Sequence, residues 1–366
     1  MSHKKALIVG VPFYTKKYRY HIDALESAGF KVKFLVNADC DTALNETIEY
    51  AGSGVINRFK RFLALMLKYK PQIIDIYDYS LLTLFYILTS KLLGVRSRLW
   101  IIGYELEVDN INANSASKFL LFRLWLKSKM TWWSASLVDQ LIIKEVHQER
   151  AIKIKNEALL EKAKMLHNCV PVNEVYEKRQ TTLDFIYANA VTPARNVKDI
   201  VVALSSIYSA SNAGSSTILG FSCLEGKESV SRATDYSKNV YEQYKSYNNL
   251  DEHVSVEGFV EDILPYIKRS KYFLFPADIV FANYALLESM AIGVVPIVYK
   301  GEGFERIVEH GVNGIVAEKG QLTASLNYAL KLSEEDYEKL SRAAHKTILY
   351  RFSILKWYDE VGQANC

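Results

Sequence analysis

Tyr272–Gly314 reads YFLFPADIVFANYALLESMAIGVVPIVYKGEGFERIVEHGVNG. An apolar strand ends at Pro276, a short loop follows, and a helix opens near Asn283 with Glu288 in its early turns. Pro296–Val298 then reads as the next buried strand, so the order strand, helix, strand argues for a parallel sheet wrapped by helices. The passage from strand to helix has a chemistry of its own. Backbone N–H groups at a helix start have no intrahelical acceptor and lie at the positive end of the dipole, so they can bind a phosphate without a charged side chain. Here those groups belong to Asn283, Tyr284 and Ala285. Glu288 falls roughly a turn and a half further in, where a carboxylate accepts two charge-assisted hydrogen bonds from vicinal hydroxyls such as those of a ribose. Together these features suit a nucleotide.

On both sides of this stretch the same alternation continues. Before it, Ala6–Val9, Val32–Val36, Ile73–Ile76 and Leu99–Ile102 read as strands. Between the second and third, Ile56, Phe59, Phe62, Leu63, Met66 and Leu67 mark the apolar face of a basic helix stopped by Pro71. Gly94 closes the next helix. A polar segment, Pro171–Thr182, reads as a linker, after which Phe185–Ala188, Thr217–Phe221, Val254–Val256, Tyr272–Phe275, Pro296–Val298 and Gly314–Val316 are strands. The 366 residues exceed one ordinary core and fit two domains. The expected fold is α/β, with two doubly wound Rossmann-like domains facing across a cleft. Residues 1–172, with a C-terminal helix 352–366 crossing back, form the acceptor-binding domain, and residues 183–350 form the nucleotide-binding one. Ligands of such sheets bind at the carboxyl ends of the strands.

The spacing inside Tyr272–Gly314 resembles the donor-binding half of glycosyltransferase family 4, of GT-B architecture. Pro276, Glu288, Met290, Ala291 and Gly293 stand in register with the family's Pro-x-x-x-Glu, seven residues, Glu-Ala-Met-Ala-x-Gly. Pro296 falls one place late, and Val280 takes the first Glu position. Gly301 or Gly303, Ile307, Val308, Gly311, Asn313 and Gly314 echo the run that follows, with Arg306 at its Glu position and Glu305 beside it. Weaker similarities extend along most of the chain. Asn189–Asp199 (NAVTPARNVKD) puts Arg195 at the diphosphate-binding Lys and Ala190 at the family's Arg. Gly258, Phe259 and Val260 are similar to the loop that receives the nucleobase, and Leu166, His167, Asn168 and Val170 to the segment closing the first domain. Ser333–Ala343 looks like the late amphipathic helix, while Tyr104, Glu105 and Leu106 stand at His-Glu-Leu.

The resemblance implies sugar transfer from a nucleotide-sugar such as a UDP- or GDP-sugar, with retention at the anomeric carbon. No metal and no separate cofactor are implied. Arg195, Glu288 and Glu105 are the catalytic candidates; Asn189, Arg195, Gly258, Phe259, Val260, Asp278, Asn283, Tyr284, Ala285 and Glu288 are the donor-binding ones. Asp278, two residues before Val280, is the substitute for the missing Glu. Leaving-group charge falls to Arg195 and the amides of Asn283, Tyr284 and Ala285. Because Val280, Ala190 and Tyr104 depart from the family, a second reading is a relative without turnover that binds a nucleotide or glycan as a partner subunit.

Composition excludes several classes. With 49% hydrophobic and 23% charged residues, 7 Pro and 17 Gly, the chain is neither disordered nor fibrous. Cys40, Cys169, Cys223 and Cys366 form no C-x-x-C pair, so neither zinc nor a disulfide framework is signalled, and a reducing cytoplasm is the setting. Neither a signal peptide nor a membrane-spanning run is read; Leu81–Val95, the longest apolar candidate, is interrupted by Lys91. Gly10-Val11-Pro12-Phe13 is not a dinucleotide fingerprint, and Asp39-Cys40-Asp41 has metal-holding spacing that ordinary acidic turns share. Charge is uneven. Residues 1–182 carry 27 Lys/Arg against 18 Asp/Glu, and the remainder 18 against 23. A basic first domain without a nucleic-acid reading module points away from nucleic acid. Instead it suits a glycan or lipid-linked acceptor at the inner membrane face, held through 10–17 and the helix 115–130. Surface polysaccharide, such as lipopolysaccharide or capsule, or glycolipid assembly is the expected setting.

Overall fold

The computed structural model describes residues 4–12, 17–37, 47–107, 118–210, 214–224 and 232–363. Asp39-Cys40-Asp41, residues 13–16 of the loop 10–17 and residues 115–117 of the helix 115–130 lie outside the described residues. Two compact units result, Met1–His167 with Leu355–Cys366, and Asn168–Ile354.

In the first unit, β1 (Lys4–Val11), β2 (Phe30–Val36), β3 (Ile48–Tyr50), β4 (Ile73–Ile76), β5 (Arg96–Trp100), β6 (Gln140–Ile143) and β7 (Ala163–Met165) form a seven-stranded sheet. The order is β3-β2-β1-β4-β5-β6-β7 and every pairing is parallel. Strands covered on both faces are buried along their whole length, as all four residues of β4 are, Asp75 included. Helices α1 (Lys17–Ser27), α2 (Gly54–Tyr69), α3 (Leu81–Leu92), α4 (Lys118–Leu137) and α5 (Val146–Lys155) connect them. Lys70 turns left-handed after α2 ahead of Pro71, which ends that helix. Its predicted apolar face is only partly covered: Phe62 and Met66 are buried, whereas Ile56 and Leu67 are exposed.

One strand departs from the sequence reading for a physical reason. Expected over Leu99–Ile102, β5 spans Arg96–Trp100 and carries a fully buried arginine at its centre. Periodicity treats a charge as a strand boundary; here the charge is neutralised from the neighbouring strand. Arg98 donates from Nε and Nη2 to the two carboxylate oxygens of Asp75 at 2.6 Å each, and Trp100 Nε1 donates to Oδ1 at 2.8 Å. His21 brings Nε2 to 2.9 Å from Asp75 Oδ2, and its Nδ1 lies 2.7 Å from the Tyr77 hydroxyl. Burial alone would raise the Asp75 carboxyl, but the Arg98 charge and the bonds from Arg98 and His21 prevail and hold it well below the usual range. Burial lowers His21 despite Asp75, which keeps the ring neutral. The last helix of the chain, α12 (Ile354–Gln363), packs on this cluster. Trp357 sits 6.1 Å from the Trp100 ring and 5.8 Å from that of His21.

The second unit is a six-stranded parallel sheet of β8 (Leu183–Ala188), β9 (Ser216–Leu219), β10 (Val254–Glu257), β11 (Ser270–Phe275), β12 (Val295–Tyr299) and β13 (Ile315–Ala317). Its order is β10-β9-β8-β11-β12-β13. Helices α6 (Val197–Ala210), α7 (Arg232–Ser246), α8 (Leu264–Lys268), α9 (Tyr284–Ala291), α10 (Leu322–Leu330) and α11 (Glu334–Arg351) complete it. The predicted linker Pro171–Thr182 is fastened to this unit. Arg179 donates to the carbonyls of Lys268, Ser270 and Gly293 at 2.9, 2.8 and 3.2 Å, and Tyr176 meets Ser341 Oγ at 2.9 Å. Its lack of periodicity reflects side-chain anchoring to distant carbonyls rather than freedom.

Candidate functional site

The chain runs outward from β8 to β9 and β10 on one side and to β11, β12 and β13 on the other, so the order reverses between β8 and β11. This switch point, where the loops after the two strands leave the sheet in opposite directions, is the usual ligand position in an open α/β sheet. Asn189 follows β8 and Asn283 caps α9, and their side-chain amides exchange hydrogen bonds of 3.2 and 3.3 Å across that point. Further bonds tie the same loops together. Asp278 N–H donates to Ala194 O at 3.1 Å, and Asn196 Nδ2 donates to Pro276 O and to Asp278 Oδ1, both at 2.9 Å. From the N-terminal edge of the unit, Asn168 donates to Ala282 O at 2.9 Å, holding the residue before the cap.

Arg195 ends a short 3-10 turn in the loop after β8. Its guanidinium carbon lies 4.7 Å from the Phe275 ring centroid and 4.6 Å from that of Phe281, so two aromatic rings fix the cation beside the end of β11. Neither ring was singled out by the sequence. Asp278 is exposed and salt-bridged to Lys319 at 2.7 Å. Partial burial would raise its carboxyl, but the hydrogen bonds from Lys319 and Asn196 outweigh it and keep the group below its ordinary value. Val280 is buried, and its N–H donates to Glu302 O at 2.8 Å. Gly301 permits this seam: a Cβ there would come within 2.6 Å of the carbonyl oxygens of Ala277 and Asp278.

The helix start corrects the simplest anion-binding expectation. Asn283 N–H donates to Phe281 O at 2.6 Å, and Ala285 N–H is capped by Asn283 Oδ1 at 3.0 Å. Two of the three amides assigned to the anion are thus engaged by the chain itself. The causes are the Asn283 side chain, which caps Ala285, and a tight backbone turn, which returns the Asn283 N–H to the Phe281 carbonyl. Glu288, half-buried, lies in the second turn of α9. The buried face of that helix, Leu286, Leu287 and Met290, packs in one cluster with Ala344 and Ile348 of α11, so the backbone that carries Glu288 is held from behind.

At the edge of the sheet, Gly258, Phe259 and Val260 follow β10, with Phe259 75% exposed and Val260 packed against the core. Gly220 joins the strand ends. Its N–H reaches the carbonyls of Glu257 and Gly258 at 3.0 and 2.9 Å, its φ is +97°, and a Cβ would lie 2.0 Å from the Asn189 carbonyl oxygen. Gly220→Ala is therefore expected to cost at least about 1–3 kcal/mol, read as a lower Tm, and to displace Asn189 from its exchange with Asn283.

Glu105 belongs to the first unit, in a turn after β5, where it accepts from Gly103 N–H at 2.7 Å. Beside it the Tyr104 ring lies tilted against that of His147, with ring centroids 4.9 Å apart. Asn313 is structural: it bonds the Glu309 and Ile307 backbone and Thr347, which explains the Gly-x-Asn-Gly echo without a ligand. Glu305 and Arg306 are exposed.

Residues 172–347, nearly all of the second unit, match the family described as glycosyl transferases group 1. No curated protein matches the chain in sequence. The chain is similar in fold to the sucrose-phosphate synthase (tll1590) of Thermosynechococcus elongatus, with a TM-score of 0.75 at 14% identity over 100% of this chain and 98% of that one. Anabaena Alr3699/HepE, solved in complex with UDP-glucose, gives a TM-score of 0.73 at 14% identity over 100% and 99%. The lipopolysaccharide outer core galactosyltransferase WaaB gives 0.67 at 15% over 99% of each chain. The chain has the GT-B fold of two Rossmann-like domains, and its second unit is similar to the group 1 glycosyl transferases.

Proposed function

We propose that the protein transfers a sugar from a UDP- or GDP-sugar to a glycan or lipid-linked acceptor in surface polysaccharide or glycolipid assembly, with retention at the anomeric carbon. The observation that carries this reading is the Asn189–Asn283 bridge over the β8/β11 switch point, with Arg195 fixed beside it between two aromatic rings. In this reading the diphosphate lies against Arg195 and the remaining start of α9, Glu288 binds the ribose, and Phe259 offers its exposed face to the base. Charge on the departing diphosphate is met by the arginine, with no metal in that role. Glu105 serves the acceptor side. Transfer breaks the bond between the anomeric carbon and the diphosphate oxygen and forms one to the acceptor oxygen, whose proton is released.

A thermal-shift series with UDP, GDP and their sugars, followed by nucleoside-diphosphate release with and without glycan acceptors, tests the proposal. Stabilisation by one nucleotide series and release that depends on acceptor support it. Stabilisation without release favours the non-catalytic partner subunit, a reading that the buried Val280 in place of a carboxylate keeps in view. No response to any nucleotide overturns both. Glu288→Gln keeps the shape and removes the charge that strengthens ribose bonds. Donor KM is expected to rise about 10–100-fold with a smaller change in kcat, because such bonds are made in ground and transition state alike.

A further inference from the structure

Helices α2, α3 and α4 follow one another in the first unit, span 16, 12 and 20 residues, and contain no Asp or Glu. They carry four, one and four Lys or Arg respectively. Adjacent members pack side by side, α2 on α3 and α3 on α4, so they form one layer over the sheet. Its outer face is not a normal solvated one. On α3, Leu81, Phe85, Leu88 and Leu92 recur at helical spacing as a single exposed stripe, with Leu92 87% exposed. On α4, Trp125 and Trp133 are half or more exposed, and Phe122 stacks on Trp125. Lys60, Lys91, Lys127 and Lys129 lie exposed on the same helices; Arg61 is engaged with Glu49 of β3.

Continuous exposed apolar surface of this kind marks an interaction site, and its charge selects the occupant. A second copy docked through the same face would set cations against cations, since an isologous contact repeats one patch on both sides. Nucleic acid would pair with the lysines yet leave the leucine stripe in water. An anionic bilayer takes both, because Leu, Phe and Trp enter the headgroup–acyl boundary while Lys and Arg meet anionic headgroups. Among the described residues no helix is long and apolar enough to cross a membrane, so contact would be along the surface.

We propose that the outer face of α2, α3 and α4 docks on an anionic phospholipid surface. This deepens the acceptor side of the function proposed above, where a lipid-linked acceptor is one alternative, and uses no residue of the donor site. The test is co-sedimentation of the full chain with phosphatidylcholine vesicles, with or without phosphatidylglycerol, at low and high salt. Binding is expected on phosphatidylglycerol vesicles, weakened by salt and slight on phosphatidylcholine alone. Leu88→Glu with Leu92→Glu is expected to abolish it, and Lys127→Ala and Lys129→Ala to lower partitioning roughly fivefold each. Tm should hold in all four, since these side chains are exposed. Absence of vesicle binding, equal binding to neutral vesicles, or a dimer that Leu88→Glu dissolves would each overturn the proposal. Nucleotide-induced thermal shifts on the same variants report the donor site separately, so a failure of the function proposed above leaves this test intact.

Discussion

Arg195→Ala is expected to lower kcat about 10²–10³-fold while donor KM moves only a few-fold. The asymmetry follows from where charge develops. In the proposed transfer, negative charge grows on the diphosphate as the sugar leaves, and a preorganised cation stabilises that state more than the ground state. The preorganisation here is visible: Phe275 and Phe281 hold the guanidinium between them, so little side-chain freedom remains to be lost at the moment of transfer. Arg195→Lys should recover only part of the loss, because an ammonium keeps the charge but not the planar group matched to two rings and to phosphate. Steady-state kinetics with a fixed acceptor measure this, with Tm as the folding control. Turnover unchanged in Arg195→Ala would remove this residue from the leaving-group role.

Asp75→Asn is expected to destabilise the first unit by about 3–5 kcal/mol, a large part of an ordinary domain's stability. The reason is asymmetry between partners: the neutral amide leaves Arg98, fully buried, with an uncompensated charge. Arg98→Met should cost a comparable amount. Asp75→Leu combined with Arg98→Met should return much of it, because removing both charges removes the desolvation penalty as well. Urea unfolding followed by Trp fluorescence reads these effects through Trp100 and Trp357, which flank the cluster. The pH dependence has a defined sign. His21 is lowered in the folded state, so below roughly pH 6.5 the unfolded chain takes up a proton that the folded chain refuses, and stability falls as pH drops. Asp75 is depressed, so its contribution is present above the ordinary carboxylate value and is lost only in stronger acid, as pH falls through its folded value. His21→Gln is expected to flatten the upper part of this decline and leave the lower part in place.

What the sequence by itself determined is what local geometry encodes. The alternation of buried strands and capped helices is written in side-chain period, and the turn from Pro276 to Asn283 into a helix bearing Glu288 is written in consecutive residues. Those features need no distant partner. Tertiary structure decided the rest. Asn189 meets Asn283 across 94 positions, and Lys319 meets Asp278 across 41, because parallel crossovers bring remote loops to one end of a sheet. Arg98 sits inside a strand because Asp75 neutralises it from the next one, a pairing that no single-strand pattern reveals. The turn that engages the amide of Asn283 and the cap that engages that of Ala285 likewise follow from atomic directions rather than residue types. For the same reason the apolar face of α2 was legible as a stripe and α3 as an apolar helix, but which of their residues remain uncovered depends on where neighbouring elements end, and only the folded chain settles that.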